Sequence, residues 1–218
     1  VIRPIYVVSV LAVMAIITAI MPSLDHAGAR LFFCPDAEQA WCQKNDQPWH
    51  ALYHYGNYPS IATGIVGLGL ALYGYLRKQI RKRQIGLFLV VSLVIGPGLI
   101  VNGILKPIWG RPRPRDTIPY NPEGKQYRPV LSPDFSGGGK SFPSGHVSTA
   151  FYTGVLSFLC RTPGLNVALL ATSLAYGCLM GITRMAQGGH YLSDAAWAAC
   201  ITWIIIALCG RFLLKNGL

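Results

Sequence analysis

Residues 84–114 read QIGLFLVVSLVIGPGLIVNGILKPIWGRPRP. The first 22 of them, 84–105, carry no charge, and Lys106, Arg111 and Arg113 then follow within eight positions. A helix needs roughly 20 mostly apolar residues to cross the hydrocarbon core of a bilayer, so this stretch predicts a membrane span that delivers a basic string to one surface. Gly96-Pro97-Gly98 sits inside the span and predicts a bend, because proline removes a backbone donor and crowds the preceding turn.

The rest of the 218 residues follows the same pattern. Only 12% are charged and 52% are hydrophobic, with a mean hydropathy of +0.39, which is the balance of a membrane protein. Six stretches are long and apolar enough to span: about 4–22, 52–76, 84–105, 145–160, 165–182 and 191–213. The expected fold is all-α, an integral membrane bundle of six transmembrane helices forming a single domain over 1–218, with both termini on one side. No internal repeat, low-complexity tract or linker divides it. The run before Ala27-Gly28-Ala29 resembles a signal peptide, yet it is too long for one and Pro22 and Asp25 intervene, so it reads as an uncleaved first span.

A formal charge of +11 does not point to nucleic acid, since the cations are not spread along a surface with interleaved aromatics. Arg77, Lys78, Arg81, Lys82 and Arg83 crowd the turn between the second and third spans, and Arg3, Arg161, Arg211 and Lys215 fall on that side. Ten cations and all eight acidic residues fall on the other. The dense, unrelieved 77–83 turn reads as cytoplasmic under the positive-inside rule. The expectation is a bacterial-type cytoplasmic membrane, termini inside and the polar clusters on the extracytoplasmic face. Cys34 and Cys42 share the first outside loop, where an oxidising compartment permits a disulfide; Cys160, Cys178, Cys200 and Cys209 sit in spans as small apolar residues.

Residues 23–51 are expected to be an outside loop with a short interfacial helix, Trp41 and Trp49 lying at headgroup level. His50 and His54 share a helix face, but no third metal ligand has suitable spacing, so interfacial packing is the default reading. The 115–142 loop is expected to lie over the polar clusters, with Gly137-Gly138-Gly139-Lys140 as a possible phosphate cradle or a flexible connector.

Three polar strings stand where spans meet loops: KPIWGRPRP at 106–114, PSGH at 143–146 and TRMAQGGHYLSD at 183–194. Charges at membrane depth are costly and therefore functional suspects. Lys106, Arg113 and Arg184 supply cations. Ser144 and Gly145 open a helix whose first N–H groups and dipole favour an anion. His190 and Asp194 are four apart, so a carboxylate on one ring nitrogen would leave the other free to attack. His146 is a second histidine for proton transfer. Together these types suit a tetrahedral phosphate; a basic collar for lipid headgroups would explain the first string alone.

This set resembles the type 2 phosphatidic acid phosphatase family. Its pattern of a lysine, six residues and Arg-Pro is matched by Lys106 and Arg113-Pro114. Pro-Ser-Gly-His is matched by 143–146, and the third motif by Arg184, His190 and Asp194, with Thr183 where serine is usual. The resemblance implies that His190 forms a phosphohistidine, Asp194 orients it, and His146 protonates the leaving oxygen and then activates water. It implies that Lys106, Arg113, Arg184, Ser144 and Gly145 hold the phosphate oxygens. No carboxylate cluster is available for Mg²⁺, so turnover without a metal or other cofactor is expected. The partners implied are a lipid phosphate and membrane lipids, with no nucleic acid and no obligate protein partner.

Among lipid substrates of similar bacterial enzymes are undecaprenyl diphosphate, phosphatidylglycerophosphate, phosphatidic acid and the phosphates of lipid A. Arg111, Arg115, Lys125, Arg128 and Lys140 lean the reading toward a highly anionic headgroup, a diphosphate or a lipid A phosphate. Transfer of the phosphoryl group to a second lipid would use the same residues. An anion transporter is the alternative from another class, against which the cations gather at one face and leave the midspans uncharged.

Overall fold

The structure is a computed structural model that describes residues 4–37 and 40–214; Arg3, Glu38 and Lys215, counted among the charges above, lie outside it. The described residues are helical, apart from loops and one isolated bridge between Thr117 and Lys125. Helix α1 covers Pro4–Ile20 and α2 Pro22–Arg30; α3 (Trp49–Tyr55) leads into α4 (Tyr58–Leu76). Helix α5 runs Ile80–Ile108, α6 is Gly145–Tyr152 with a 3₁₀ continuation over Thr153–Leu159, α7 is Pro163–Ala186 and α8 Leu192–Leu213.

Four helices among these residues are long and apolar enough to cross a membrane: Trp49–Leu76, α5, α7 and α8. A fifth span is formed if the segments Ser9–Ile20 and Pro22–Arg30, bent by 64° at their junction, count as one. The sixth predicted span, 145–160, is a different element. Its α and 3₁₀ parts have 8 and 7 residues, roughly 26 Å of length by the usual rises per residue, short of the roughly 30 Å hydrocarbon core.

That short helix lies at the centre of the bundle. Tyr152 and Val155 pack with Phe88 and Leu89 of α5 and Ile206 of α8, while Val147, Ala150 and Phe151 pack with Met180 of α7 and Ala198 of α8. Small polar groups reach across from it: the Ser148 hydroxyl meets that of Thr202 at 2.8 Å, Ser60 Oγ donates to the Thr149 carbonyl at 2.5 Å and Tyr152 Oη to the Leu89 carbonyl at 2.6 Å. Interhelical bonds of this kind hold bundles together where no water competes.

The bend predicted at Gly96-Pro97-Gly98 takes the form of a widened helix. Residues Val94–Leu105 are π-helical, and Asn102 Nδ2 donates to the Pro97 carbonyl at 2.7 Å, five residues back. The 23–51 segment includes helix, as expected: Pro22 starts α2, and Asp25, in its first turn, is buried. Trp41 is likewise buried, among Phe33, Tyr120 and Tyr191. Cys34 and Cys42 are disulfide-bonded.

Helices α4 and α5 form a hairpin whose axes approach through glycine. A Cβ on Gly86 would overlap the backbone of Ala71 and Gly67, and one on Gly67 would stand 2.7 Å from Leu89 Cβ. Gly86→Val is expected to force the pair apart and cost about 2 kcal/mol or more, read as a lower melting temperature in detergent; an unchanged melt would show that the hairpin does not pack this way.

Candidate active site

The three polar strings meet at one end of the bundle. Helix α5 begins within the basic 77–83 segment and carries Lys106 in its last turn, so that segment and the strings lie at opposite ends of a 29-residue span. Ser144, extended at φ −77° and ψ 110°, caps α6; Arg184 stands in the last turn of α7; Asp194 stands in the first turn of α8; and His190 lies in the turn between those two helices. Lys106 is within electrostatic reach of Arg113, Arg184 and Asp194, and His146 within reach of Arg184 and Lys106. All eight predicted site residues are thus brought to one place.

Glycines make the approach possible. Gly188, at φ +60°, turns the chain out of α7 in the left-handed region, and a Cβ there would overlap the Trp41 ring. A Cβ on Gly145 would overlap the Asn102 amide on α5. The glycine of PSGH therefore serves the seating of α6 against α5, a reason the sequence did not display.

One side of the site is saturated with hydrogen bonds. His190, 2% exposed, donates Nδ1–H to the Ser141 carbonyl at 2.5 Å, which leaves Nε2 as the unprotonated nitrogen. Asp194 Oδ2 stands 3.8 Å from the same Nδ1 and accepts instead from Ser141 Oγ at 2.5 Å and from the Tyr191 amide at 2.8 Å. The carboxylate so reaches the ring through Ser141 as well as through space. Burial, ahead of any charge, pushes the His190 pKa down to about 3, so the ring is neutral at ordinary pH.

Behind Asp194 is a buried ion network the sequence did not announce. Arg111, 1% exposed, donates Nη1 to Asp194 Oδ1 and to Ser193 Oγ at 2.8 Å, Nη2 to Asp25 Oδ2 at 2.7 Å, and Nε to the Arg128 carbonyl at 2.8 Å. Asp25 also accepts from the Ser193 amide at 2.8 Å, from Ser193 Oγ at 2.6 Å and from Tyr127 Oη at 2.9 Å. Burial alone would lower the Arg111 pKa, but Asp194 and then Asp25 outweigh it and hold the guanidinium above its usual range. Tyr127 is pushed up, by burial first and then by Asp25.

The opposite side is unsaturated. Arg113 Nε, Ser144 Oγ and Arg184 Nε are buried and have no hydrogen-bond partner among the described residues. Ser144 makes no side-chain cap to α6, whose first-turn N–H groups have no carbonyl in the helix to bind. Arg184 is steadied by Gln187 Oε1 and lies over the Tyr53 ring, 4.7 Å from its centroid.

The basic 115–142 loop is less free than the sequence suggests. Arg111 is consumed by the buried network, Arg128 pairs with Asp134 at 3.2 Å, Arg115 is 3.9 Å from Asp116 and Lys125 donates to the Gly138 carbonyl. Of the cations that suggested a highly anionic headgroup, Arg111 is turned inward, while Arg115, Lys125 and Arg128 lie near carboxylates or a carbonyl at the surface. The glycine run at 137–139 packs on the 110–112 segment: a Cβ on Gly139 would overlap Arg111 backbone. The His50 and His54 rings lie 4.5 Å apart between centroids, tilted by 54°, and no group of three or more His, Cys, Asp or Glu suited to a metal occurs among the described residues.

A helical membrane bundle with this constellation at one end defines a class, and comparison names it. Residues 85–218 match the family model of the PAP2 superfamily, and the chain belongs to that superfamily. It is 31% identical over 137 residues to a lipid A 4'-phosphatase of Francisella tularensis subsp. novicida, covering 61% of this chain and 62% of that protein. It is 33% identical over 159 residues to a lipid A 1-phosphatase of Rhizobium johnstonii (65% and 59%), and 30% identical over 143 residues to lipid phosphate phosphatase 1 of Arabidopsis thaliana (56% and 43%). The chain spans less than two thirds of the length of each of these relatives. No solved structure matches it.

Arg111→Met would leave Asp25 and Asp194 facing each other without their shared cation. A loss of about 3–5 kcal/mol is expected, the usual result of removing one partner of a buried ion pair, read as a lower melting temperature in detergent, and a melt like that of the wild type would show the network to be dispensable.

Proposed function

We propose that the chain is a membrane lipid phosphatase acting on a lipid phosphate ester through a phosphohistidine. The observation that carries the reading is the pairing of unsaturated donors on Arg113, Ser144 and Arg184 with a neutral, carbonyl-anchored His190. Those donors, with Lys106 and the N–H groups at Gly145, suit three non-bridging oxygens, and arginine forks grip two at once. His190 Nε2 attacks phosphorus; the N–P bond forms as the P–O bond to the lipid breaks. His146, which takes up a proton as the phosphate dianion enters among the cations around it, gives that proton to the departing oxygen. It then takes one from water, which attacks phosphorus and returns His190 with release of inorganic phosphate.

Asp194 and Arg111 act behind the nucleophile. The ring gains positive charge when it attacks, and the carboxylate 3.8 Å away favours that charge. Because the transferred group keeps its charge on oxygens already faced by fixed cations, the proposed turnover needs no metal. The relatives that are lipid A phosphatases support a lipid A phosphate as the substrate. We place the site on the extracytoplasmic face, since it lies at the end of α5 remote from the basic 77–83 turn.

The test is phosphate release by purified protein in EDTA from lipid A, phosphatidic acid, phosphatidylglycerophosphate and undecaprenyl diphosphate, with His190→Ala beside it. Release is expected from lipid A, with the variant at least about a hundredfold slower. Retained activity in the variant would remove His190 as nucleophile, activity lost in EDTA and restored by Mg²⁺ would overturn metal independence, and label passing from lipid to lipid would make the chain a transferase.

A further inference from the structure

Tyr53 lies outside the segment that matches the family and outside all three polar strings, yet it touches two of them. Its ring stacks on the His146 imidazole, 5.0 Å between centroids and 20° from parallel, and carries the Arg184 guanidinium 4.7 Å from its centroid. The phenol lies within electrostatic reach of both Arg184 and Arg113. Both faces of contact thus fall on groups that meet the phosphate in the proposed reaction.

The position of Tyr53 is built into the fold. Helix α3 has only seven residues and could not hold a side chain by itself. Leu52, one residue before, packs into the cluster of Val147, Phe151 and Met180. Tyr176 Oη of α7 donates to the Gly56 carbonyl at 2.5 Å, and Thr149 Oγ1 of α6 donates to Asn57 Oδ1 at 2.5 Å, so both ends of the break between α3 and α4 are tied to the helices that carry His146 and Arg184. A Cβ on Gly56 would overlap Met180, which shows how closely this corner sits on α7. Tyr53 itself is 37% exposed, and it is not part of the core it borders.

We propose that Tyr53 is a positioning residue that sets the plane of the His146 ring, so that the acid is aimed at the leaving oxygen. The proposal rests on the phosphatase reading above. An imidazole at a helix start otherwise turns about two side-chain torsions, and a misaimed acid loses the advantage of its fixed geometry. Stacking against an aromatic face removes that freedom without adding a charge that would compete for the phosphate.

The test uses two leaving groups. A lipid phosphate, leaving as an alkoxide, needs the proton from His146; p-nitrophenyl phosphate leaves as a stable phenolate and hardly needs it. In Tyr53→Leu, the single-turnover rate of phosphohistidine formation, the step before water enters, is expected to fall about 30-fold on the lipid phosphate and no more than about 3-fold on the aryl ester, with Tyr53→Phe, which keeps the stacked ring, recovering most of the lipid rate. The ratio of the two rates is read on one preparation, so a smaller folded fraction lowers both rates and leaves the ratio unchanged. Should Tyr53→Leu give no folded protein, Tyr53→Gln is read the same way. Equal losses on the two esters, or a lipid single-turnover rate within twofold of wild type, would overturn the proposal. Wild-type protein that hydrolyses neither ester would overturn the phosphatase reading itself and this one with it.

Discussion

The guanidinium of Arg111, held between Asp25 and Asp194, is the contact on which the arrangement of this end of the molecule depends. Burying a cation costs several kcal/mol even after relaxation, and only near-complete pairing offsets it. Arg111 meets that condition with two carboxylates, a hydroxyl and a carbonyl. These partners come from α2, the 115–142 loop and α8, so the guanidinium joins three segments that share no continuous secondary structure. Once it is in place, the N-terminus of α8 has one position relative to the chain leaving α5, and His190, four residues before Asp194, has one position relative to Lys106 and Arg113.

From this follows a division within the site. The groups behind His190 have their hydrogen bonds filled by protein: Asp194 by Arg111, Ser141 and Tyr191, and the ring by the Ser141 carbonyl. The groups in front do not: Arg113, Ser144 and Arg184 each keep a buried polar atom without a partner among the described residues. Unpaired buried polar atoms are costly, and folded proteins hold few of them. Their concentration on one face, opposite a saturated one, is what a rigid support and a receiving surface look like in a site built for an anion. The two kinds of group also rest on different elements. The support hangs on α2, α8 and the outer loop, whereas the receiving face hangs on the ends of α5, α6 and α7.

How much of this could be read from the chain depends on the range of the interaction concerned. Hydropathy is a local property, and it locates α4, α5, α7 and α8 to within a few residues of their observed ends. At 145–160 it cannot tell a lipid-facing helix from one packed inside the bundle, because apolar composition marks both, and α6 is buried by its neighbours. The reactive groups were legible because their spacing is local too: His190 and Asp194 within one turn, Ser144 beside His146. Arg111 and Asp25 were not, since they stand 86 residues apart and each in its own segment resembles a solvated loop charge. The same holds for Tyr53, whose partners are on α6 and α7; within residues 49–58 it is one aromatic among several.

The membrane gives the cation cluster its particular character. Lys106, Arg113 and Arg184 converge where low-dielectric helix ends weaken screening, and their mutual repulsion is only partly relieved by Asp194, whose carboxylate is paired with Arg111. An arrangement of like charges of this kind is held by the fold rather than by its own contacts, and the Asp25–Arg111–Asp194 network is the part of the fold able to hold it. A phosphate dianion seated between the cations would relieve that repulsion, and it would gain most in a transition state whose charge stays on the oxygens facing them. Inorganic phosphate carries the same oxygens as the ester. In the proposed reaction a site this cationic would hold its product for the same reason that it holds its substrate.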